Sequence, residues 1–157
     1  MKPTVILVPG GFPKASESIF QAISNALAEI EYEVLVLEKA HWGDLESKAG
    51  RVTSKILVGK SAGGRLVVEY QMRHKDAKAL VLLAAAVKAK EQIREIKIPV
   101  LIIHGTADRV VPVENSRELA KQFENSRLVE VQGADHSYKG KEQETAKIIA
   151  EWINEVA

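Results

Sequence analysis

Short runs of β-branched and leucine residues alternate along this chain with longer stretches in which apolar residues recur every three or four positions. The short runs cover Thr4 to Val8, Glu33 to Leu37, Lys55 to Val58, Ala79 to Leu83, Val100 to His104 and Arg127 to Val131. Runs of that length with little internal alternation predict strands covered on both faces. Between them, Ile19, Ala22, Ile23, Ala26, Leu27 and Ile30 form one stripe and predict a helix over Ser18 to Ile30. Similar stripes predict helices over Gly64 to His74, Val113 to Phe123 and Lys141 to the end, the last burying Ile148, Ile149, Trp152, Ile153 and Val156. A weaker helical pattern runs from Lys90 to Ile96, and Ala40 to Ser54 fits a short helix or a loop equally well. Strands alternating with helices predict an α/β fold, a three-layer αβα sandwich around a doubly wound, six-stranded parallel sheet.

The 157 residues suit one domain over 1–157, and no linker, repeat or low-complexity segment divides them. Basic and acidic residues, 22 against 21, nearly cancel, and no long run of one sign occurs. That balance argues against a nucleic acid or a membrane surface as the partner. With no cysteine, disulfides, thiolate metal sites and a cysteine nucleophile are excluded. The amino terminus has neither a signal-peptide pattern nor a spanning segment, so a cytoplasmic location is expected.

Candidate chemistry sits in the loops that leave the carboxyl ends of the predicted strands, where open parallel sheets bind ligands. Gly59-Lys60-Ser61-Ala62-Gly63 joins a strand to a helix and has the G-x-S-x-G spacing of a nucleophile elbow. A phosphate loop is excluded, because G-x-x-x-x-G-K-S needs a glycine where Ser54 stands, and a strand occupies the intervening residues. Ser61 needs a base, and His136 in Gly133-Ala134-Asp135-His136-Ser137 is the leading choice, with His104 behind it. Asp108, in the loop after the fifth strand, is preferred to Asp135 as the orienting carboxylate, since neighbouring side chains diverge. A helix cap or Asx-turn is the plainer role for Asp108. The amide of Ala62 and that of Gly11 or Phe12, in Pro9-Gly10-Gly11-Phe12, would form an oxyanion hole. Phe12 and His41 are expected to line the pocket, and Lys60 either favours acidic substrates or is simply solvated.

Ser61, Asp108 and His136 stand in that order, each after a strand, with a glycine-rich loop after the first strand. This pattern resembles the α/β-hydrolase superfamily, whose acid loop is similar to Ile98 through Pro112 and whose histidine loop is similar to Gly133 to Ser137. The resemblance covers essentially the whole chain and implies strand order 2-1-3-4-5-6. The usual leading antiparallel strands and cap domain are missing, so a minimal core is implied, similar to small dienelactone-hydrolase-related serine esterases. It also implies cleavage of small carboxylic esters or thioesters through an acyl-enzyme, without metal or organic cofactor. A catalytically inactive binding or scaffold protein is the alternative. The last strand is expected at an exposed edge, where a second copy could pair to form a homodimer.

Overall fold

The computed structural model describes residues 1–88 and 91–157, Glu91 by its backbone only. The strands are β1 (Thr4–Val8), β2 (Val34–Val36), β3 (Lys55–Lys60), β4 (Ala79–Leu83), β5 (Val100–Gly105) and β6 (Ser126–Val131). The helices are α1 (Glu17–Glu29), α2 (Trp42–Gly50), α3 (Ala62–His74), α4 (Val113–Gln122) and α5 (Glu142–Val156). Every pairing is parallel, and the strand order is β2-β1-β3-β4-β5-β6, the doubly wound order implied above.

Alternation along each strand divides the interior into two layers. Val5, Leu7, Ile56, Val58, Val81, Leu101 and Ile103 pack against α1 and α5 through Ile19, Ile23, Leu27, Ile149, Trp152 and Ile153. Ile6, Val8, Leu57, Leu80, Leu82 and Ile102 face the other way, onto Leu45, Val67, Val68 and Leu119 of α2, α3 and α4. Helices on both faces explain why β3, β4 and β5 are buried at every position, while the edge strands β2 and β6 keep partly exposed residues. Fully burying one such Leu or Ile side chain contributes about 1.5–3 kcal/mol. Both layers therefore hold the sheet ends in fixed register beneath the loops.

Four local differences from the sequence reading have physical causes. β3 runs through Gly59 and Lys60, because the ladder to Leu82 and Leu83 of β4 continues to the turn. β2 is shorter than expected, having a ladder on one side only. The ambiguous stretch contains a helix, α2, whose first turn is capped by His41: its Nδ1 accepts the Asp44 N–H at 3.2 Å. The weak helical pattern from Lys90 to Ile96 is a 3-10 turn over Glu91–Glu95, and Lys90 lies outside the described residues. Among the described residues no helix is long and apolar enough to cross a membrane.

Candidate active site

Four loops meet above the carboxyl ends of β1, β3, β5 and β6. The turn from β3 into α3 holds Ser61 at φ 53° and ψ −119°, outside the regions that side-chain-bearing residues ordinarily occupy. Backbone packing on both sides imposes it. A Cβ on Gly59 would lie 2.4 Å from the Gly63 carbonyl oxygen, and one on Gly63 would lie 2.2 Å from that of Val8. Ser61 N–H donates to the Leu83 carbonyl at 2.9 Å, and its own carbonyl accepts from Gly64 at 3.0 Å and Ala86 at 3.1 Å. The turn is thereby locked to β4 and to the segment that follows it.

The loop after β1 presses directly on this serine. A Cβ on Gly10 would stand 3.1 Å from Ser61 Cβ and 3.7 Å from its Oγ. The Gly10 N–H is directed to Ser16 Oγ at 3.4 Å, whereas Gly11 and Phe12 are exposed. Ala62 is the first residue of α3, so its N–H has no intrahelical acceptor and points out of the helix start. The Ala62 N–H therefore adjoins the serine, and the Gly10 backbone packs against it.

The loop from β5 carries Asp108, whose side chain is fully buried. Its Oδ1 accepts from Val110 N–H at 2.8 Å and Val111 N–H at 2.9 Å, and its Oδ2 accepts from His136 Nδ1–H at 2.8 Å. Burial pushes this carboxyl up, but the hydrogen bonds from His136, Val111 and Val110 outweigh it and hold the group below the usual carboxylate range. The Asx-turn and the pairing with His136 therefore coexist, one on each oxygen.

The histidine loop is fastened to the acid loop at several points. Ala107 N–H donates to the Ala134 carbonyl at 3.0 Å, Gly133 N–H to Thr106 Oγ1 at 2.8 Å, and Thr106 N–H to the Val131 carbonyl at 3.1 Å. Beneath them the buried Tyr138 hydroxyl donates to the Ile103 carbonyl at 2.7 Å, and burial, with the Asp108 charge, pushes that phenol well up. Asp135 turns to solvent and caps its own loop by accepting from Ser137 and Lys139 N–H. No hydrogen bond joins Ser61 Oγ to His136; strand register and loop packing bring the two loops to one end of the sheet.

Other sequence candidates fall elsewhere. His41 is spent as the cap of α2, with no contact to Ser61, Asp108 or His136 among the described hydrogen bonds. The Phe12 side chain stands 84% exposed on the loop surface. Lys60 is not spread over the surface: its side chain is buried, 1% exposed. Burial lowers its pKa, with the charges of Asp108 and Asp135 opposing the shift. The fold puts it there because residue 60 is still in β3 and shares the inward face of Ile56 and Val58.

His104 and Ser116 join the group from the opposite layer. His104 is fully buried, with Nδ1 2.5 Å from Ser116 Oγ and Nε2 2.7 Å from the Val111 carbonyl and 3.2 Å from Asp108 Oδ2. Ser116 was legible only as a polar residue three positions after Val113 on the buried stripe of α4. A shallow cavity of about 470 Å³ opens over Ala107, Val110, Asp135, His136 and Ser137, with Arg109 at its wall. A larger cleft of about 750 Å³ lies beyond Pro9 and Pro13 and includes none of Ser61, Asp108 and His136. Among the described residues no group of three or more His, Asp and Glu is placed to hold a metal ion.

Residues 4–146 match the alpha/beta hydrolase family. The chain belongs to that family. A stretch of 49 residues is 39% identical to a Synechocystis sp. protein named "Putative non-heme chloroperoxidase", spanning 31% of this chain and only 18% of that protein's length. Among solved structures, Est1E from Butyrivibrio proteoclasticus superposes with a TM-score of 0.84 at 20% identity, covering 98% of this chain and 88% of Est1E. A predicted CIB-like hydrolase from Thermoplasma acidophilum gives 0.80 at 24% identity, over 98% and 86% of the two chains. The meta-cleavage product hydrolase of Pseudomonas fluorescens gives 0.84 at 15%, over 99% and 92%. At these identities the structural likeness speaks for the fold.

Proposed function

We propose that this alpha/beta hydrolase is a serine esterase acting on small carboxylic esters or thioesters. The observation that carries the reading is the strained Ser61 turn pressed against Gly10, at the end of the sheet where a histidine is bonded to a buried carboxylate. In the first half-reaction His136 Nε2 takes the Ser61 hydroxyl proton as Oγ bonds to the acyl carbon. The developing oxyanion accepts from Ala62 N–H and from Gly11 or Phe12 N–H. The C–O or C–S bond then breaks, and the leaving alcohol or thiol carries away the proton held by His136. In the second half, water attacks the acyl-enzyme, His136 accepts its proton, and the acid departs as Ser61 Oγ is reprotonated. Asp108 keeps the proton of His136 on Nδ1 throughout, leaving Nε2 free to act as the base. In unliganded sites the serine–histidine contact is often long and tightens in the substrate complex.

The shallow surface over His136 favours small or surface-presented acyl groups over long chains. The test is turnover of a p-nitrophenyl ester series of increasing acyl length, together with labelling by a fluorophosphonate probe. Turnover falling with chain length, and labelling that disappears in Ser61→Ala, are the expected results. A native protein that neither turns over the shortest ester nor labels at Ser61 would be a binding protein on the same fold.

A further inference from the structure

The proposed reaction uses Ser61, His136 and Asp108, yet a second histidine, on β5, comes within 3.2 Å of the same carboxylate. We propose that His104 is a positioning residue for Asp108, a role that rests on the esterase reading. Its geometry selects the tautomer. The Val111 carbonyl, 2.7 Å from Nε2, can only accept, so Nε2 carries the proton, and Ser116 Oγ–H donates to Nδ1 at 2.5 Å. His104 Nε2 also lies 3.2 Å from Asp108 Oδ2, a close polar contact beside the hydrogen bond that its N–H makes to the Val111 carbonyl.

Asp108 is therefore held by three hydrogen bonds, with His104 against it. Val110 and Val111 N–H occupy Oδ1, His136 Nδ1–H occupies Oδ2, and His104 Nε2 stands 3.2 Å from Oδ2. The Val111 peptide is gripped at both ends, its N–H by Asp108 and its carbonyl by His104. His104 thus closes the acid loop around its own carboxylate. Ser116, 1% exposed on α4, fixes the ring from behind, which accounts for a serine on an otherwise apolar helix face. The other charged groups facing this array are Glu130, opposite His104 in the β6 ladder and paired with Arg117, then Lys60, Asp135 and the Tyr138 hydroxyl. None of these makes a hydrogen bond to the His104 ring. Removing His104 Nε2–H frees the Val111 carbonyl and loosens the Val111 N–H on Oδ1. With that donor weakened, the carboxylate attracts the charged form of its remaining partner more strongly.

The experiment compares His104→Leu, His104→Gln and Ser116→Ala, each checked for folding by circular dichroism. Glutamine can place an N–H near the position of Nε2, and leucine cannot. His104→Leu should lower kcat on the order of tenfold with KM little changed. The acid limb of its kcat/KM profile should move to higher pH. The low-field proton resonance of His136 Nδ1–H, assigned by its loss in His136→Gln, should shift or vanish. His104→Gln should restore kcat, the acid limb and the resonance towards wild type. Ser116→Ala keeps the ring but loosens it, and should move all three in the leucine direction by a smaller amount. If His104→Leu loses only thermal stability and keeps the wild-type kcat, pH profile and resonance, the proposal is wrong. Should the leucine variant not fold, Ser116→Ala decides, and wild-type values in every readout overturn the proposal. The resonance arm does not need turnover. An inactive wild type would sink the esterase reading while that arm still decides whether His104 sets the Asp108–His136 pair.

Discussion

Replacing Asp108 with asparagine exchanges one carboxylate oxygen for an NH2 group, and the two backbone donors on Oδ1 decide where it goes. Val110 and Val111 N–H, at 2.8 and 2.9 Å, require an oxygen, so the NH2 must face His136. His136 Nδ1 then has to accept, and its proton moves to Nε2, the atom that should receive the Ser61 proton. The wrong tautomer has cost about 10⁴ in kcat in a comparable triad, equivalent to about 5.5 kcal/mol of transition-state stabilisation. The same NH2 meets His104 Nε2–H, which lies 3.2 Å from Oδ2, donor against donor. That mismatch should destabilise the fold by about 1–3 kcal/mol, lowering Tm by roughly 2–4 °C per kcal/mol.

Acid sensitivity supplies a second reading from the same variant. The native Asp108 carboxyl lies below its unfolded value, so its contribution to stability is complete above the unfolded pKa of about 4 and is lost as pH falls through the native pKa. Asp108→Asn should lack this loss. The assays are steady-state hydrolysis of p-nitrophenyl acetate, fluorophosphonate labelling of Ser61 and urea melts between pH 3 and pH 7. A folded Asp108→Asn that keeps kcat within tenfold of wild type would refute the tautomer reasoning and the assignment of Asp108 with it.

Ser61→Gly should abolish turnover by about 10⁶ yet stabilise the protein by about 1 kcal/mol relative to Ser61→Ala, because only glycine relieves the strain at φ 53°. Equal melting of the two variants would show that the turn is unstrained. Gly63→Ala drives a Cβ to 2.2 Å from the Val8 carbonyl oxygen and 2.5 Å from that of Pro9, both backbone atoms. It should destabilise the fold by about 3 kcal/mol and lower fluorophosphonate labelling, and a normal melt would contradict this packing. Lys60→Met removes a cationic side chain that burial disfavours and should raise stability by about 1–4 kcal/mol at pH 7. Between the lowered native pKa of Lys60 and the unfolded value near 10.4, the unfolded chain holds the extra proton, so wild-type stability should rise with pH across that window. Urea melts from pH 7 to pH 10.5 should show that rise in the wild type and its loss in Lys60→Met; an unchanged slope would assign it to another group.

Much of the architecture is visible in the chain because burial on both faces leaves a local trace. The runs at Val5 to Val8, Ile56 to Val58 and Val100 to Ile103 are apolar throughout, and the strands there agree with the runs to within two residues. The glycines around Ser61 leave a trace of the same kind, since the close approach of Gly63 to Val8 excludes any side chain at that position. α2 was harder to read because its start depends on the cap from His41, and a nine-residue helix offers only two buried positions, Leu45 and Ala49, as a stripe.

The tertiary structure alone decided which polar residues meet. Lys60 reads as a surface charge until β3 is seen to carry it two residues further, onto the inward face shared with Ile56 and Val58. His104 and Ser116 are twelve positions apart, and Asp108 and His136 twenty-eight, distances over which sequence periodicity carries no information. Their meeting is set by the register of β5 against β6, by α4 packing back on that pair, and by the hydrogen bonds between the acid and histidine loops. The order of Ser61, Asp108 and His136 was already written in the chain. That a second histidine, His104, backs the acid loop from the α4 side follows from the sheet, because a strand buried on both faces presents alternate residues to each layer.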